Sequence, residues 1–297
     1  MSSPTIGIDL GCTNIKGVLI DPEGNVLREE KHDTLEQDDQ HWKGIVSSLI
    51  RKFKAEAAGP INGIGLSAPG LANTDNNCIA FMPGRLPGLE NFTWSDWIGE
   101  RVYVLNDAHA AMMAEALFGA AKGLQHAVLI TLGTGVGGGI LINGQLYQGV
   151  SQMAGHIGHT TVDAGSDRLD VTNMPGSIED AIGNVTLTQR SQGKYHSTEE
   201  LVNGVRQGND FAKSVWMISV QKLAVCVASM INVLSPEVVI LSGGITQAEN
   251  LLLDPLQEFL ALYEWRPGGK RTPVRIAHFS DRAGAIGAAG FALSKMK

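Results

Sequence analysis

The sequence is short of cross-linking residues, of concentrated positive charge and of long apolar runs. Only three cysteines, Cys12, Cys78 and Cys226, occur in 297 residues. They are far apart, odd in number and set mostly inside apolar patterns, so they read as reduced core residues of a cytoplasmic protein rather than a disulfide framework. No block of lysine or arginine is present and the formal charge is −7. A protein that coats nucleic acid needs basic residues to displace counterions from phosphates, so no nucleic-acid partner is expected. The opening residues, MSSPTIGIDL, have neither the basic stretch nor the apolar core of an export signal. The most apolar segment, residues 223–234, is expected to be too short, and too interrupted by Ser229 and Asn232, to cross a bilayer, so no membrane partner is expected either. What remains, 43% apolar and 18% charged residues, is the composition of a soluble globular chain with room for two domains of about 120–180 residues.

Glycine is plentiful, at 36 residues, and its placement organises the chain. Residues 128–142, VLITLGTGVGGGILI, read as two apolar strands joined by a bend at Gly133-Thr134-Gly135. Residues 6–20, IGIDLGCTNIKGVLI, repeat this pattern 122 positions earlier, placing Gly11 on Gly133 and Gly17 on Gly139. Turn sequences follow both copies: Asp21-Pro22-Glu23-Gly24-Asn25 and the Asn143-Gly144 pair suited to a type I′ hairpin. Two similar halves are expected to enclose a cleft with one bend on each side. Backbone N–H groups gathered in such bends make concavities for anions, and a triphosphate has several anionic groups to hold.

Between and beyond the hairpins the chain alternates strands and helices, which argues for an α/β layered architecture. Trp42, Ile45, Val46, Leu49, Ile50 and Phe53 recur at helical spacing, predicting an amphipathic helix with its basic residues on the outer face. Residues 61–67 predict a buried strand ending at Ser67-Ala68-Pro69-Gly70, a position where α/β sheets bind ligands. Residues 81–97, rich in Pro, Gly and aromatics, read either as an ordered loop over a site or as an irregular surface connection. A strand at 102–105 precedes Asn106-Asp107 and a helix over 108–122 closed by Gly123. In the second half, Ser177-Ile178-Glu179-Asp180 opens a helix, residues 197–234 are mostly helical and stop at Ser235-Pro236, 237–241 is a strand, and a small-residue helix ends the chain.

Asp107 stands where a strand becomes a helix, and two readings are open. It could serve only as a helix cap, or, as a carboxylate kept ionised near a helix N-terminus, it could accept a proton from an attacking hydroxyl.

The ordered series Asp9-Leu10-Gly11-x-Thr13, Ser67-Ala68-Pro69-Gly70, Asn106-Asp107-Ala108, Gly133-Thr134-Gly135-x-Gly137-Gly138-Gly139, Ala154-Gly155-x-Ile157-Gly158-His159 and Ser242-Gly243-Gly244 resembles the ROK family of sugar kinases and sugar-responsive repressors over essentially the whole chain. The resemblance implies a duplicated actin-like (ribonuclease H-like) two-domain α/β fold with a central cleft, divided into residues 1–117 plus a C-terminal helix at 284–297, and residues 118–283. It implies ATP-dependent phosphorylation of a hexose, usually at the C6 hydroxyl and with a glucose-like sugar favoured. Asp107 would be the base. Asn106, Gly70, His156, His159 and Glu179 would bind the sugar. Gly11, Thr13, Lys16, Gly133, Thr134 and Gly135 would surround the phosphates, Gly243 and Gly244 would lie by the adenosine, and Asp9 would sit near Mg²⁺ through water. A homodimer is also implied. The alternative is a non-catalytic sugar-binding or sugar-sensing protein of the same fold. Repressors of the family carry an N-terminal helix-turn-helix module, and here the first phosphate strand begins at about residue 5, leaving no room for one.

Two departures from the family pattern stand out. Most members carry a Cys-x-Cys-Gly-x-x-Gly-Cys zinc motif, whereas residues 170–177, DVTNMPGS, contain no cysteine, so His159 would lack its thiolate companions and no structural zinc is expected. His156 replaces the usual sugar-binding glutamate; a histidine both donates and accepts, so the hydroxyl pattern it selects can differ. For Glu179 and His159 the plain alternatives are a helix-start acid and a hydrogen-bonded loop histidine.

Overall fold

The computed structural model describes residues 3–57 and 59–296. Lys297, the last residue of the expected C-terminal helix, lies outside them. The chain separates into two compact units, residues 1–124 with 144–154 and 278–297, and residues 125–143 with 155–277.

The first unit is built on a five-stranded sheet. Strands β1 (Thr5–Leu10), β2 (Asn14–Ile20) and β3 (Val26–Asp33) form the expected meander, and β4 (Gly63–Ala68) and β5 (Val102–Asn106) join parallel to β1, giving the order β3-β2-β1-β4-β5. Alternate residues of a strand face opposite sides. Ile6, Ile8 and Leu10 enter a core with Trp42, Val46, Leu49, Ile50 and Phe53 of helix α1 (Asp39–Glu56). Gly7, and with it Gly65 on β4, receives the C-terminal helix Ala283–Ser294 so closely that a Cβ on either would collide with the carbonyls of Ala285 and Ala288. The basic face expected of α1 has one exception. Lys43 is buried, with Nζ 2.8 Å from Asp39 and 4.3 Å from the Phe92 ring centroid; the aromatic residues of the 81–97 segment supply the surface it packs on. That segment is ordered, contributing buried Leu86, Leu89 and Trp94.

Helix α2 (Asp107–Phe118) ends earlier than the expected Gly123, at Gly119. The buried Glu115 carboxylate folds back to accept the N–H groups of Ala120 at 2.7 Å and Phe279 at 2.8 Å, and a Cβ at residue 119 would collide with it. The helix stops where that carboxylate takes over its backbone donors.

The second unit repeats the plan. Strands β6 (Ala127–Leu132) and β7 (Val136–Ile142) form the antiparallel hairpin, with β8 (Val238–Ser242) parallel to β6 and β9 (Val274–Ile276) parallel to β8. All four strand ends of this hairpin lie 122 positions after those of β1 and β2. The pairing register nevertheless differs by one residue: Leu10 opposes Ile15, whereas Leu132 opposes Val136. Asn143 and Gly144 both take positive φ, 53° and 72°, as a type I′ turn requires.

Helices α3 (Ile178–Ile182), α4 (Thr198–Arg206), α5 (Asp210–Leu234) and α6 (Asn250–Tyr263) complete this unit. The apolar segment expected to be too short to cross a bilayer is the C-terminal half of α5, whose 25 residues are long and apolar enough to do so by length and composition alone. Its Trp216, Val220, Leu223, Ala224 and Val227 are buried in the unit's own core with Leu252, Leu256 and Leu260 of α6.

Candidate functional site

In the first unit the expected residues gather at the carboxyl ends of β1, β4 and β5. The β1–β2 bend closes with a Gly11 N–H bond to the Asn14 carbonyl at 3.0 Å, and its own carbonyls are taken by Thr34: the hydroxyl donates to Gly11 O at 2.6 Å and the N–H to Thr13 O at 3.0 Å. With the carbonyls turned into the protein, the N–H groups of Cys12 and Thr13 are the donors left for an anion.

Asp9 lies opposite Lys16 on β2 and Ser67 on β4. The Ser67 hydroxyl donates to its Oδ1 at 2.7 Å, while Lys16 reaches Asp281 at 3.1 Å. Burial pushes the Asp9 carboxyl above its usual range, against the lowering effects of Ser67 and Lys16. Room for this carboxylate comes from Gly284, in the first turn of the C-terminal helix, where a Cβ would overlap it.

At the end of β5, Asn106 and Asp107 divide their duties. Asn106 is the helix cap: its Oδ1 accepts from Ala108 N at 2.9 Å and His109 N at 3.3 Å, and its Nδ2 donates to Gly70 O at 2.8 Å. Gly70, at φ 100°, can present that carbonyl because a side chain there would meet Phe81 O, Met82 and Ile79. Asp107 is therefore not needed as a cap. It is the first helical residue, open to water, with Oδ1 accepting its neighbour Ala108 N at 2.8 Å. Crowding by surrounding protein, followed by repulsion from Asp9, pushes its carboxyl up to about 6 although water still reaches it. His109, two residues on, is buried and bonds through Nε2 to Ala154 O at 2.7 Å.

In the second unit the β6–β7 bend is tied in the same sense. Asn184 N donates to Gly133 O at 3.0 Å and Val185 N to Thr134 O at 2.9 Å, so the carbonyls of this bend are engaged by the protein. Glu179 lies against this bend: Oε2 accepts Val136 N at 2.9 Å, and a Cβ on Gly135 would collide with it. Its Oε1 is buried without a hydrogen-bond partner among the described residues. Burial raises the Glu179 carboxyl, opposed by the Val136 N–H. The segment that pins the bend is itself held by half-buried Arg190, whose guanidinium donates to Gly183 O at 2.8 Å and Ser219 Oγ at 2.7 Å; desolvation lowers its pKa to about 10.

Gly243, at φ 93° and backed against Leu132 O, turns the chain out of β8, and a Cβ on Gly244 would meet open space. His156 and His159 lie with parallel rings, centroids 6.4 Å apart. His159 Nδ1 is 3.2 Å from Thr172 Oγ1 and 3.6 Å from Asp170 Oδ2. Burial alone would raise the Asp170 carboxyl, but the Met174 N–H and further donors outweigh it and hold it below its ordinary value.

The expected residues thus fall into two groups. Asp9, Gly11, Thr13, Lys16, Gly70, Asn106 and Asp107 belong to the first unit, and Gly133, Thr134, Gly135, His156, His159, Glu179, Gly243 and Gly244 to the second. Sequence reasoning did not single out Gly284, Arg190, Asp170 or Thr172. Gly284 sits in a stripe of small residues that gives no local sign of Asp9, Arg190 acts on Gly183 and Ser219, and Asp170 and Thr172 form a local turn whose approach to His159 is not visible in the sequence.

A family model described as the ROK family matches residues 5–295, and the chain belongs to that family. It is 30% identical to a glucokinase of Thermotoga maritima, the match covering 96% of this chain and 95% of that protein. Similarity extends to a xylose repressor of Bacillus spizizenii, 26% identical over 93% of this chain and 78% of the repressor. Among solved structures, a ROK family glucokinase from Streptomyces griseus in complex with glucose and AMPPNP has a TM-score of 0.79 at 25% identity, covering 97% of this chain and 99% of that one. The fold is accordingly the mixed α/β, two-sheet actin-like architecture of ROK sugar kinases.

Proposed function

We propose that this protein is an ATP-dependent sugar kinase that phosphorylates a hexose or hexose derivative at its C6 hydroxyl, with a glucose-like sugar favoured. The observation that carries the reading is the division of labour at the end of β5: Asn106 caps the helix, so Asp107 is spared for proton transfer. The glucokinase relative and the glucose–AMPPNP complex of a family member support sugar and ATP as the substrates.

In this reading Asp107 accepts the proton of the attacking hydroxyl, and Asn106, Gly70, His156, His159 and Glu179 orient the sugar. Phosphoryl transfer depends mainly on positioning and on neutralising charge. The backbone N–H groups of Cys12, Thr13, Thr134 and Gly135 would serve phosphate oxygens, with Lys16 beside the first bend and Gly243-Gly244 beside the adenosine. Asp9, half-buried and served by one hydroxyl, fits an outer-sphere Mg²⁺ partner through water. Mg²⁺, when bound, offsets phosphate charge. A cytoplasmic homodimer that uses neither nucleic acid nor membrane completes the proposal.

The xylose-repressor similarity favours one second reading, a sugar sensor without catalysis. ADP release with Mg-ATP across a panel of free hexoses and N-acetylhexosamines, with and without a zinc chelator, separates the two. Turnover on one sugar that survives chelation and is lost in Asp107→Asn supports the kinase. Silence across the panel, with sugar-dependent thermal stabilisation retained, supports the sensor.

A further inference from the structure

The stretch after His159 does not fit the zinc centre that the family resemblance implies. It offers no thiolate, and among the described residues no three His, Cys, Asp or Glu side chains converge on a point that could hold a metal ion. A hydrogen-bonded clasp centred on a carboxylate stands there. Asp170 has a fully buried side chain, and its Oδ1 accepts Thr172 N at 2.8 Å, Thr172 Oγ1 at 2.8 Å and Met174 N at 3.0 Å. The loop is closed further by Gly176 N to Arg168 O at 3.0 Å and Asp170 N to Met174 O at 3.0 Å. Ion pairs tie it down through Arg168–Asp180 at 2.8 Å and Lys222–Asp163 at 2.7 Å.

The clasp dictates a proton position. A carboxylate only accepts, so the single hydroxyl proton of Thr172 is committed to Asp170. What Thr172 Oγ1 can offer His159 Nδ1, 3.2 Å away, is a lone pair, and Asp170 Oδ2, 3.6 Å from the same nitrogen, offers only negative charge. Both neighbours require Nδ1 to carry hydrogen, and a neutral imidazole protonated there has a bare Nε2.

We propose that Asp170 and Thr172 are positioning residues that hold His159 as its Nδ1–H tautomer, so that Nε2 serves as a hydrogen-bond acceptor for a sugar hydroxyl. The tautomer follows from the clasp alone; the sugar as partner rests on the kinase reading above. A metal on Nδ1 would take that nitrogen's lone pair and leave the hydrogen on Nε2 as a donor; the clasp orients the same ring but puts the hydrogen on Nδ1 and leaves Nε2 an acceptor, and the loop keeps its order without thiolates.

The test uses full-length protein labelled with ¹⁵N-histidine, with long-range proton–nitrogen spectra recorded where the imidazole is neutral. His159 is expected to show the Nδ1–H pattern and to move toward the Nε2–H form in Asp170→Asn and in Thr172→Val. Thr172 is exposed, so its valine variant leaves the fold intact even if the buried Asp170 variant does not fold. Glucose titrated into the wild-type apoprotein should displace the His159 Nε2 resonance, and should do so less in Thr172→Val. In turnover the same variant should raise sugar KM about 3- to 10-fold, the loss of one hydrogen bond, with ATP KM unchanged. An Nε2–H tautomer in the wild type, or one unmoved in Thr172→Val, overturns the clasp. A tautomer that switches with no change in glucose response overturns the acceptor role. Absence of turnover on any sugar, with the tautomer pattern as expected, counts against the kinase reading and leaves the clasp standing.

Discussion

Acidification should silence catalysis well before it unfolds the protein. The Asp107 carboxyl is pushed from 3.8 to about 6. As a base it works only when ionised, so kcat/KM should follow its ionised fraction in the free protein. With a pKa of about 6 that fraction is roughly 0.9 at pH 7 and roughly 0.1 at pH 5, a loss of about ten-fold; an ordinary aspartate would still be about 0.9 ionised at pH 5. The assay is direct quantification of sugar phosphate after quenching at each pH, at sugar concentrations below KM, with circular dichroism confirming that the fold persists. Because Asp9 is the second contributor to the shift, Asp9→Asn should move the acid limb to lower pH even as it weakens use of Mg-ATP. A rate unchanged between pH 7 and pH 5 would refute the assignment of Asp107 as base; an acid limb unmoved in Asp9→Asn would refute Asp9 as a contributor to its shift.

The same shift has a consequence for stability. A carboxyl whose native pKa is raised binds its proton more tightly in the folded than in the unfolded state, so stability falls as pH rises from about 3.8 to about 6 and the ionised group is a standing cost above that. Asp107→Asn should therefore melt at or above the wild-type temperature near neutral pH, with the difference closing below pH 4; a melt clearly below wild type at neutral pH would contradict this. Asn106→Ala should cost about 0.5–2 kcal/mol in urea denaturation as a lost cap, and Asn106→Asp, which keeps the acceptor, should recover most of that while still losing the bond to Gly70 O. Gly287→Ala places a methyl group on Ala110 O and should destabilise by about 1–3 kcal/mol, read as a lower Tm; an unchanged Tm would mean that the two helices separate freely. Arg190→Met removes the donors that hold Gly183 O and should cost about 1–3 kcal/mol while raising ATP KM more than sugar KM.

The framework was legible because its physics is local. The duplicated hairpins announce themselves through glycine spacing and apolar strands, and their ends fall at a constant offset. The one-residue difference in pairing was hidden, since register depends on how each bend closes: Gly11 N reaches Asn14 O, whereas Gly133 N reaches Gly135 O. The end of α2 was misplaced because Gly123 is the obvious stop signal, while Glu115, which ends the helix, looks like any helical glutamate until it folds back. At the site, Asn106 and Asp107 were found together, but only geometry separates cap from free carboxylate. The Asp170 clasp could not be read in advance, because an aspartate followed by Thr and Asn in a polar loop reads as an ordinary turn.

The C-terminal helix carries a further consequence. It covers the face of the first sheet through Gly7 and Gly65 and makes space for Asp9 through Gly284, yet the ribosome produces it only after all of residues 155–277. The second unit, inserted within the first, has its strands and helices available before the first can be finished. During synthesis the small-residue face of β1 and β4 must wait, uncovered, while more than half of the chain is still being made. Domains generally fold as units, the earlier one first; here the order is inverted. The unit whose strands are made earlier is the one that completes its core later, and the space around its Asp9 closes only once Gly284 has been made.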